Sequence, residues 1–588
     1  MSEAVLGVTR SLSGRRWHWR DAGAERIGLG LAQRLGVPEI IGRVLAARGI
    51  GPETAPDFLA PTLRALLPDP AVLRDMETAA TRLANAVEAG ECVGLFGDYD
   101  VDGGCATALM AGLLENLGCP VLTHIPDRLR EGYGPNAPAL KTFVAQGARL
   151  ILTLDCGTTS EAIFGEISGA DIIVLDHHKA DGPPPRVLAT INPNRLDDTS
   201  GLGTLCATAV TFLAAIALVR TLRQRGFFAA RETPDLMRAL DLVALATVCD
   251  VMPLTGLNRA LVSQGLKVMA RRERPGLAAL LDVAQVTEAP GAFTCGFVLG
   301  PRINAGGRIA EADLGLRLLR ARDAREAQGL AIVLDRVNRE RQKVEGAVLE
   351  RALDQAGEQR AAGHAVLFVA GAEWHPGIVG IVAGRIKERF NRPACAGGLQ
   401  DGVVKGSGRS LPGLDLGGAV IAARQAGILT AGGGHAMAAG FTLDAREIAA
   451  FQAFLDDRLA AAASLPDAAD LAIEGTLSVA GADTPLAETL SRLAPFGPGN
   501  EEPLLALPRA RISYAKAAGR DGNTLICTVE DEAGQKLKAV LFRAGDTPLG
   551  SALRNLQGPP LHLAGHLRLN TWQGRNSADF TIIDAAPG

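Results

Sequence analysis

The chain has 588 residues, 47% of them hydrophobic and 21% charged, with a net charge of −4. Those figures exclude a disordered chain and give no global basic signal for nucleic acid, although a binding groove needs only a local patch. The nine cysteines include no C-x-x-C pair, the longest apolar run (207–219) is too short for a bilayer, and residues 1–20 carry no secretory apolar stretch, so a cytoplasmic protein is expected.

Residues 1–75 read as a helical adaptor, with the amphipathic run 26–49 followed by proline-rich turns. From 76 onward strands and helices alternate. Apolar runs at 91–97, 120–126, 149–155 and 171–176 read as strands, and 136–147 and 159–169 as helices. This is the βαβ pattern of a parallel sheet, followed by mostly helical sequence over 206–280, and the whole of 76–310 is taken as one catalytic domain. A long connecting helix is expected over 311–361, a second α/β domain over 362–462, and a small β-barrel or sandwich over 463–588.

The stretch "GDYDVDGG" (97–104) puts Asp98, Asp100 and Asp102 between a strand-like run and a helical pattern. They are expected in a strand-to-helix turn at the carboxyl end of a strand, where open α/β sheets bind ligands. The same spacing opens a calcium-binding EF-hand loop. That loop needs Glu at its twelfth position, and here the position is Leu109. Asp155 follows the next central strand, and Asp176, His177 and His178 follow the one after. Asp250 ends an apolar helical run, where a lone carboxylate is costly without a partner. Carboxylates with imidazole suit Mn²⁺ or Mg²⁺. So many donors fit two ions, roughly 3.5–4 Å apart, of the kind used in phosphoryl transfer.

"DYDVDG", "DCGTT", "DHH" and "LATVCDVMPL", in this order, resemble the four motifs of the DHH phosphoesterase superfamily. "LGPRINAGGR" (299–308), "WHPGIVGIVAGR" (374–385), "VKGSGRS" (404–410), "GGGHAMAAGF" (432–441) and "APFGPGNEEP" (494–503) narrow the resemblance to the RecJ type, single-strand-specific 5′→3′ exonucleases. The likeness runs over about residues 75–588. It implies an α/β fold with two α/β domains, DHH and DHHA1, joined by the long helix, plus a C-terminal OB-like barrel. It also implies that Asp98, Asp100, Asp102, Asp155, His177 and Asp250 ligate two Mn²⁺ or Mg²⁺ ions, and that His178 acts beside the scissile phosphate, with Asp155 and His177 central to catalysis. Ser407 and Arg409 would read a 5′ phosphate with help from Arg128, and Arg302, Asn304 and His435 would contact further phosphates. Glycine clusters near these residues would let backbone N–H groups approach phosphate oxygens. His375 precedes a proline suited to a first helical turn and would shape that entry.

The implied activity is hydrolysis of single-stranded DNA to 5′-mononucleotides in repair and recombination. The implied protein is a monomer with no membrane association, and its partners a helicase and a single-strand-binding protein. Two other readings are a DHH phosphoesterase of small nucleotides or oligonucleotides, and a non-catalytic single-strand-binding scaffold. Every ligand position is intact, which argues against the scaffold, although Gly104, Cys105 and "DCGTTS" depart from the common pattern. The barrel argues for a polymer substrate. Between Arg509 and Arg575 it carries ten Lys or Arg against five Asp or Glu, with Tyr514, Phe542 and Trp572 as possible stacking platforms.

Overall fold

The computed structural model describes residues 4–128, 130–180, 182–466, 468–519, 522–572 and 574–588, and the side chain of Trp572 lies outside that description. The chain packs as two compact units. One comprises Ala60–Arg341 with Ala494–Glu501, and the other Met1–Leu59, Gln342–Leu493 and Glu502–Gly588.

The first unit is built on a five-stranded, all-parallel sheet. Its spatial order is Val121–His124, Val93–Gly97, Leu150–Leu154, Asp171–Leu175, Ala189–Ile191. Val93–Gly97 and Leu150–Leu154 are buried throughout, because helices cover both faces, and so they read as unbroken apolar runs. Alternate residues serve different layers. Leu95, Leu152 and Ile173 join the core beneath Val101–Asn116 and Ala207–Gln224, whereas Phe96, Ile151 and Val174 pack with Leu140 and Phe143 of Ala137–Ala145. The chain order reverses between Val93–Gly97 and Leu150–Leu154, whose following helices leave on opposite faces. That reversal opens a crevice at the carboxyl ends of these two strands.

The single helix expected over 311–361 is two helices, Leu314–Arg320 and the 38-residue Ala324–Ala361. Ala321 leaves the helical region at φ −54, ψ 128. Asp323 then caps the second helix, accepting from the N–H groups of Arg325 and Glu326 at 2.9 Å each. The helix expected over 159–169 is a single turn, Glu161–Phe164.

The second unit holds a mixed five-stranded sheet in the order Ala431–His435, Ala438–Asp444, Val403–Arg409, Ala394–Gln400, Leu367–Ala372. Only the last two strands run parallel. Its six-stranded C-terminal sheet closes on itself, since Leu505–Ala518 pairs with both Thr524–Glu530 and Leu561–Trp572.

The N-terminal segment divides where a single adaptor was expected. Its helices Ala24–Leu35 and Glu39–Ala47 are present, but residues up to 59 belong to the second unit and 60–75 to the first. The cause is a strand the periodicity did not reveal. Trp17–Trp19 pairs in parallel with Leu471–Ile473, and the fully buried Trp17 packs with Ala506, Ala564 and Ala586 of the barrel strands while its indole N–H donates to Asp584 at 3.1 Å. Buried Glu474 accepts from Arg20 and Arg48 at 3.0 and 3.1 Å.

Trp17→Ala empties a full indole volume and takes the indole donor from Asp584 Oδ2. It is expected to destabilise this unit by about 3–5 kcal/mol. Urea unfolding and faster hydrogen exchange in Leu561–Trp572 and Arg575–Pro587 would report the loss.

Candidate functional site

Six acidic and imidazole residues meet at the crevice. Asp98 follows Val93–Gly97, and its N–H donates to Leu154 O at 3.1 Å, continuing the sheet. The next helix begins at Val101, earlier than the glycines suggested. Asp100 is its N-cap, with Oδ1 accepting from the N–H groups of Asp102 and Gly103 at 2.8 and 3.1 Å. Gly103 therefore lies inside the first turn. A Cβ there would come within 2.5 Å of Asp98 N and O, so only glycine lets the helix start against the aspartate loop.

Asp102 is buried. Its oxygens accept from the N–H groups of Ala207 (2.7 Å) and Thr208 (2.8 Å), at the start of Ala207–Gln224, where the helix dipole favours an anion. Asp155 leaves Leu150–Leu154 in a left-handed conformation, φ 64, which aspartate tolerates better than most residues. Asp250 caps the end of Leu240–Cys249, and the β-branched Val251 beside it is held at φ 59. Backbone strain of this kind gathers at functional sites.

His177 Nε2 lies 3.3 Å from Asp155 Oδ1, 3.4 Å from Asp250 Oδ2 and 3.8 Å from Asp102 Oδ2. Three groups place their donor atoms within 4.8 Å of one another: Asp98–Asp100–Asp155, Asp102–His177–Asp250 and Asp155–His177–His178. They share Asp155 and His177, so all six residues expected to ligate metal converge on one place.

The charge state of this cluster tests whether cations fit it. Asp98 Oδ1, Asp155 Oδ1 and Asp250 Oδ2 are buried without a hydrogen-bond partner among the described residues. Burial, then repulsion from Asp100, raises the Asp98 carboxyl well above its ordinary range. Burial, then Asp102 and Asp100, does the same to Asp155 and pushes Asp250 up to about 8. Buried carboxylates that repel one another demand a counter-charge. An oxygen-rich set with imidazole fits Mn²⁺ or Mg²⁺.

Sequence reasoning gave no role to the groups that hold the histidines. Asp176 is fully buried, and its Oδ1 accepts from the His177 and His178 N–H groups at 2.7 and 3.2 Å and sits 2.8 Å from His178 Nδ1. Its Oδ2 accepts from Thr158 N and Oγ1 at 3.0 and 2.6 Å. Burial alone would lower the His178 imidazole, but the Asp176 hydrogen bond and charge outweigh it and push it up to about 9. Asn192 Nδ2 donates to Thr158 Oγ1 and His178 O at 2.8 Å each, and Asn194 Nδ2 to His177 O at 2.7 Å. The Tyr133 hydroxyl lies 3.2 Å from His178 Nε2. One signal was available: "INPN" at 191–194 sets two asparagines at another strand end of the same sheet.

Of the residues expected to bind phosphate, Arg128 lies over the Tyr99 ring at 5.3 Å, next to Asp98 in the chain. Arg302 donates to Asp335 at 3.0 Å and to Val298 O at 2.7 Å. Asn304 shares its helix, Gly300–Ile309. The "AGG" of that motif is helical rather than an open loop. Gly307 packs on the aspartate loop, where a Cβ would lie 3.0 Å from Tyr99 O, so its smallness serves helix approach.

In the second unit, Arg409 donates to Ser407 Oγ at 2.8 Å, both on Val403–Arg409. Ala438 pairs with Arg409 on one side and His435 on the other. Ser407, Arg409 and His435 therefore face the same side of the sheet. "GGGH" is strand, Ala431–His435, and not an open phosphate loop or a helix start. His375 caps Pro376–Phe390, accepting from Gly377 N at 3.0 Å, as its position before proline suggested. In the barrel Tyr514 and Phe542 are exposed, while Arg509, Lys536, Lys538 and Arg568 are paired with acids, which trims the basic surplus.

Comparison with known proteins matches three families: "DHH family, N-terminal domain" at 92–247, "DHHA1 domain" at 362–461 and "RecJ OB domain" at 473–584. The chain is 36% identical over 574 residues to the single-stranded-DNA-specific exonuclease RecJ of Escherichia coli, covering 94% of this chain and 96% of that protein. It is 32% identical over 583 residues to the protein of that name from Bacillus subtilis, covering 97% and 71% respectively. Among solved structures, RecJ from Thermus thermophilus in complex with Mn²⁺ superposes with a TM-score of 0.78 at 31% identity, over 96% of this chain and 78% of that one. The Mg²⁺ complex gives a TM-score of 0.74 at 30% identity, over 96% and 77%.

Asp176→Asn withdraws the charge that orients both histidines. Mn²⁺ affinity is expected to fall about 10–100-fold, measured by titration calorimetry, with an unchanged far-ultraviolet circular dichroism spectrum.

Proposed function

The chain belongs to the RecJ family of single-stranded-DNA-specific exonucleases, and on that premise we propose that it hydrolyses single-stranded DNA from the 5′ end to 5′-mononucleotides. One observation carries the reading most directly. Asp98, Asp100, Asp102, Asp155, His177 and Asp250, drawn from 153 positions of sequence, converge, and among the described residues Asp98, Asp155 and Asp250 each keep a buried oxygen without a hydrogen-bond partner. These six would hold two divalent ions, Mn²⁺ or Mg²⁺. Asp102 can serve although it already accepts two N–H groups, since each carboxylate oxygen has a second lone pair. When bound, such a pair supplies Lewis acidity toward the phosphoryl group and a nucleophile at neutral pH.

The remaining roles fall to the chain itself. His178, held by Asp176 and beside the Tyr133 hydroxyl, would present its ring edge to a phosphate oxygen and steady developing negative charge. Arg128 stands near the aspartate loop, where a guanidinium binds phosphate in two-point fashion. Ser407, Arg409 and His435 share one sheet face, a surface suited to a 5′ phosphate. Arg302 and Asn304 would meet the following phosphates, Arg302 by sharing its guanidinium with Asp335. The barrel would steer the strand with Tyr514, Arg511 and Lys516.

A monomer acting with a helicase and a single-strand-binding protein in a reducing cytoplasm completes the reading. It is supported by nine free cysteines, seven of them buried. No helix among the described residues is long and apolar enough to cross a membrane.

Asp155→Ala and His177→Ala are expected to abolish release of nucleotides from single strands in Mn²⁺ while leaving gel-shift binding within about threefold; full turnover in either variant ends this assignment. Arg409→Ala is expected to erase the preference for a 5′-phosphorylated over a 5′-hydroxyl strand, raising KM about 10–100-fold for the phosphorylated one alone. Paired digests with a duplex control would show it.

A further inference from the structure

Exposed aromatic rings are rare in this chain. Of its 17 phenylalanines, three are exposed: Phe293, Phe297 and Phe542. Phe293 and Phe297 are 69% and 68% exposed, and they stack on each other with centroids 5.0 Å apart and planes 21° from parallel. Two adjacent rings left in water forgo the burial that a folded chain otherwise secures for such side chains. Neither ring was part of any motif read from the sequence.

The backbone under them is unusual. Thr294–Leu299 is a π-helical turn that runs directly into Gly300–Ile309. Such widened turns are uncommon and recur at functional sites. This one is fastened to the end of the helix that delivers Asp250. Cys249 Sγ donates to Cys295 O at 3.4 Å, and a Cβ on Gly296 would touch Val248 at 3.4 Å. Val251, next after Asp250, is itself exposed. On the other side Arg302 donates to Val298 O at 2.7 Å, which sets a guanidinium one residue from Phe297. The turn that carries the ring pair is thus joined to the helix of Asp250 on one side and to Arg302 on the other.

A flat apolar ring face beside cationic and metal-binding groups matches one chemistry: a base on a phosphate backbone. We propose that Phe293 and Phe297 form a stacking platform for an unpaired base of the strand being hydrolysed. The inference rests on the nuclease reading given above. Stacking of this kind accepts any base, because every base has a π face, and it rejects paired bases, whose faces are covered by their neighbours. The platform therefore selects unpaired nucleic acid without reading sequence.

The test compares the wild type with Phe293→Ala/Phe297→Ala, Phe297→Leu and Phe297→Trp. Each digests a 5′-phosphorylated single strand and the same strand bearing a run of abasic sites. The wild type should show a lower KM for the ordinary strand. In the double variant KM for that strand should rise roughly 5–100-fold, the loss falling on KM rather than kcat, and the ratio between the two strands should approach one. Phe297→Leu keeps apolar bulk without an aromatic face and should lose part of the preference, whereas Phe297→Trp should retain it. Should the double variant fail to fold, the Leu and Trp variants decide alone. A preference equal to that of the wild type in Phe297→Leu and in a folded double variant overturns the platform while leaving the nuclease assignment standing. So does a change confined to sedimentation, which would make the rings a protein contact. A wild type that neither binds nor digests single strands overturns both.

Discussion

Mutual repulsion among buried carboxylates is the constraint around which the first unit is organised. Asp98, Asp155 and Asp250 each keep an oxygen out of water with no hydrogen bond among the described residues to offset it. Left alone, such a cluster would splay apart or take up protons. It stays together because the backbone fixes every member. Asp98 and Asp155 are carried on neighbouring strands in register, and Asp98 N–H is itself a rung of that ladder. Asp100 and Asp102 are tied by the N-terminal N–H groups of two different helices. The switch in strand order supplies the crevice, and the helix termini supply partial positive charge, but neither amounts to a full counter-ion.

The same logic extends outward. Asp176 resembles the other aspartates in the chain yet behaves oppositely. Burial would raise its carboxyl, but it makes five hydrogen bonds, the strongest influence being His178, and it is held below the ordinary carboxylate range. It is thus held in its charged form and orients the histidines. Two kinds of aspartate a few ångströms apart are separated only by how many donors surround them. Thr158 adds two donors to Asp176 Oδ2, and Asn192 in turn holds the Thr158 hydroxyl and the His178 carbonyl.

Much of this was legible in the sequence. The strand ends were, because strands buried on both faces are continuous apolar runs and the functional residues follow them immediately. The convergence of the acidic and imidazole residues was, because charged and imidazole side chains set directly against apolar runs are costly unless they share a counter-charge. What was not legible depended on contacts distant in sequence. Nothing near Trp17 announces Asp584 or Leu471 as partners, so the N-terminal segment read as a helical adaptor of its own. The break at 321–323 hides in a helix-compatible composition, where only the capping Asp323 marks it. Glycine clusters misled for a related reason. Composition does not distinguish a glycine that opens a loop to a ligand from one, like Gly103 or Gly307, that lets two backbones meet. The Phe293–Phe297 stack was invisible because apolar residues in helical spacing signal a core by default.

Strain and charge at the crevice also bear on stability. Asp155 and Val251 hold left-handed backbone conformations next to buried carboxylates, so the structure stores cost where it is to act. The expense is tolerable because the surrounding sheet is rigid: Phe96, Leu152, Leu154 and Val174 are fully buried on both sides of the crevice strands. It also means that cations which bind the folded cluster and ignore the unfolded chain stabilise the fold by mass action. The first unit is therefore not a finished scaffold to which metal is added. The repulsion that costs stability among its buried aspartates is the same feature that would favour divalent cations there.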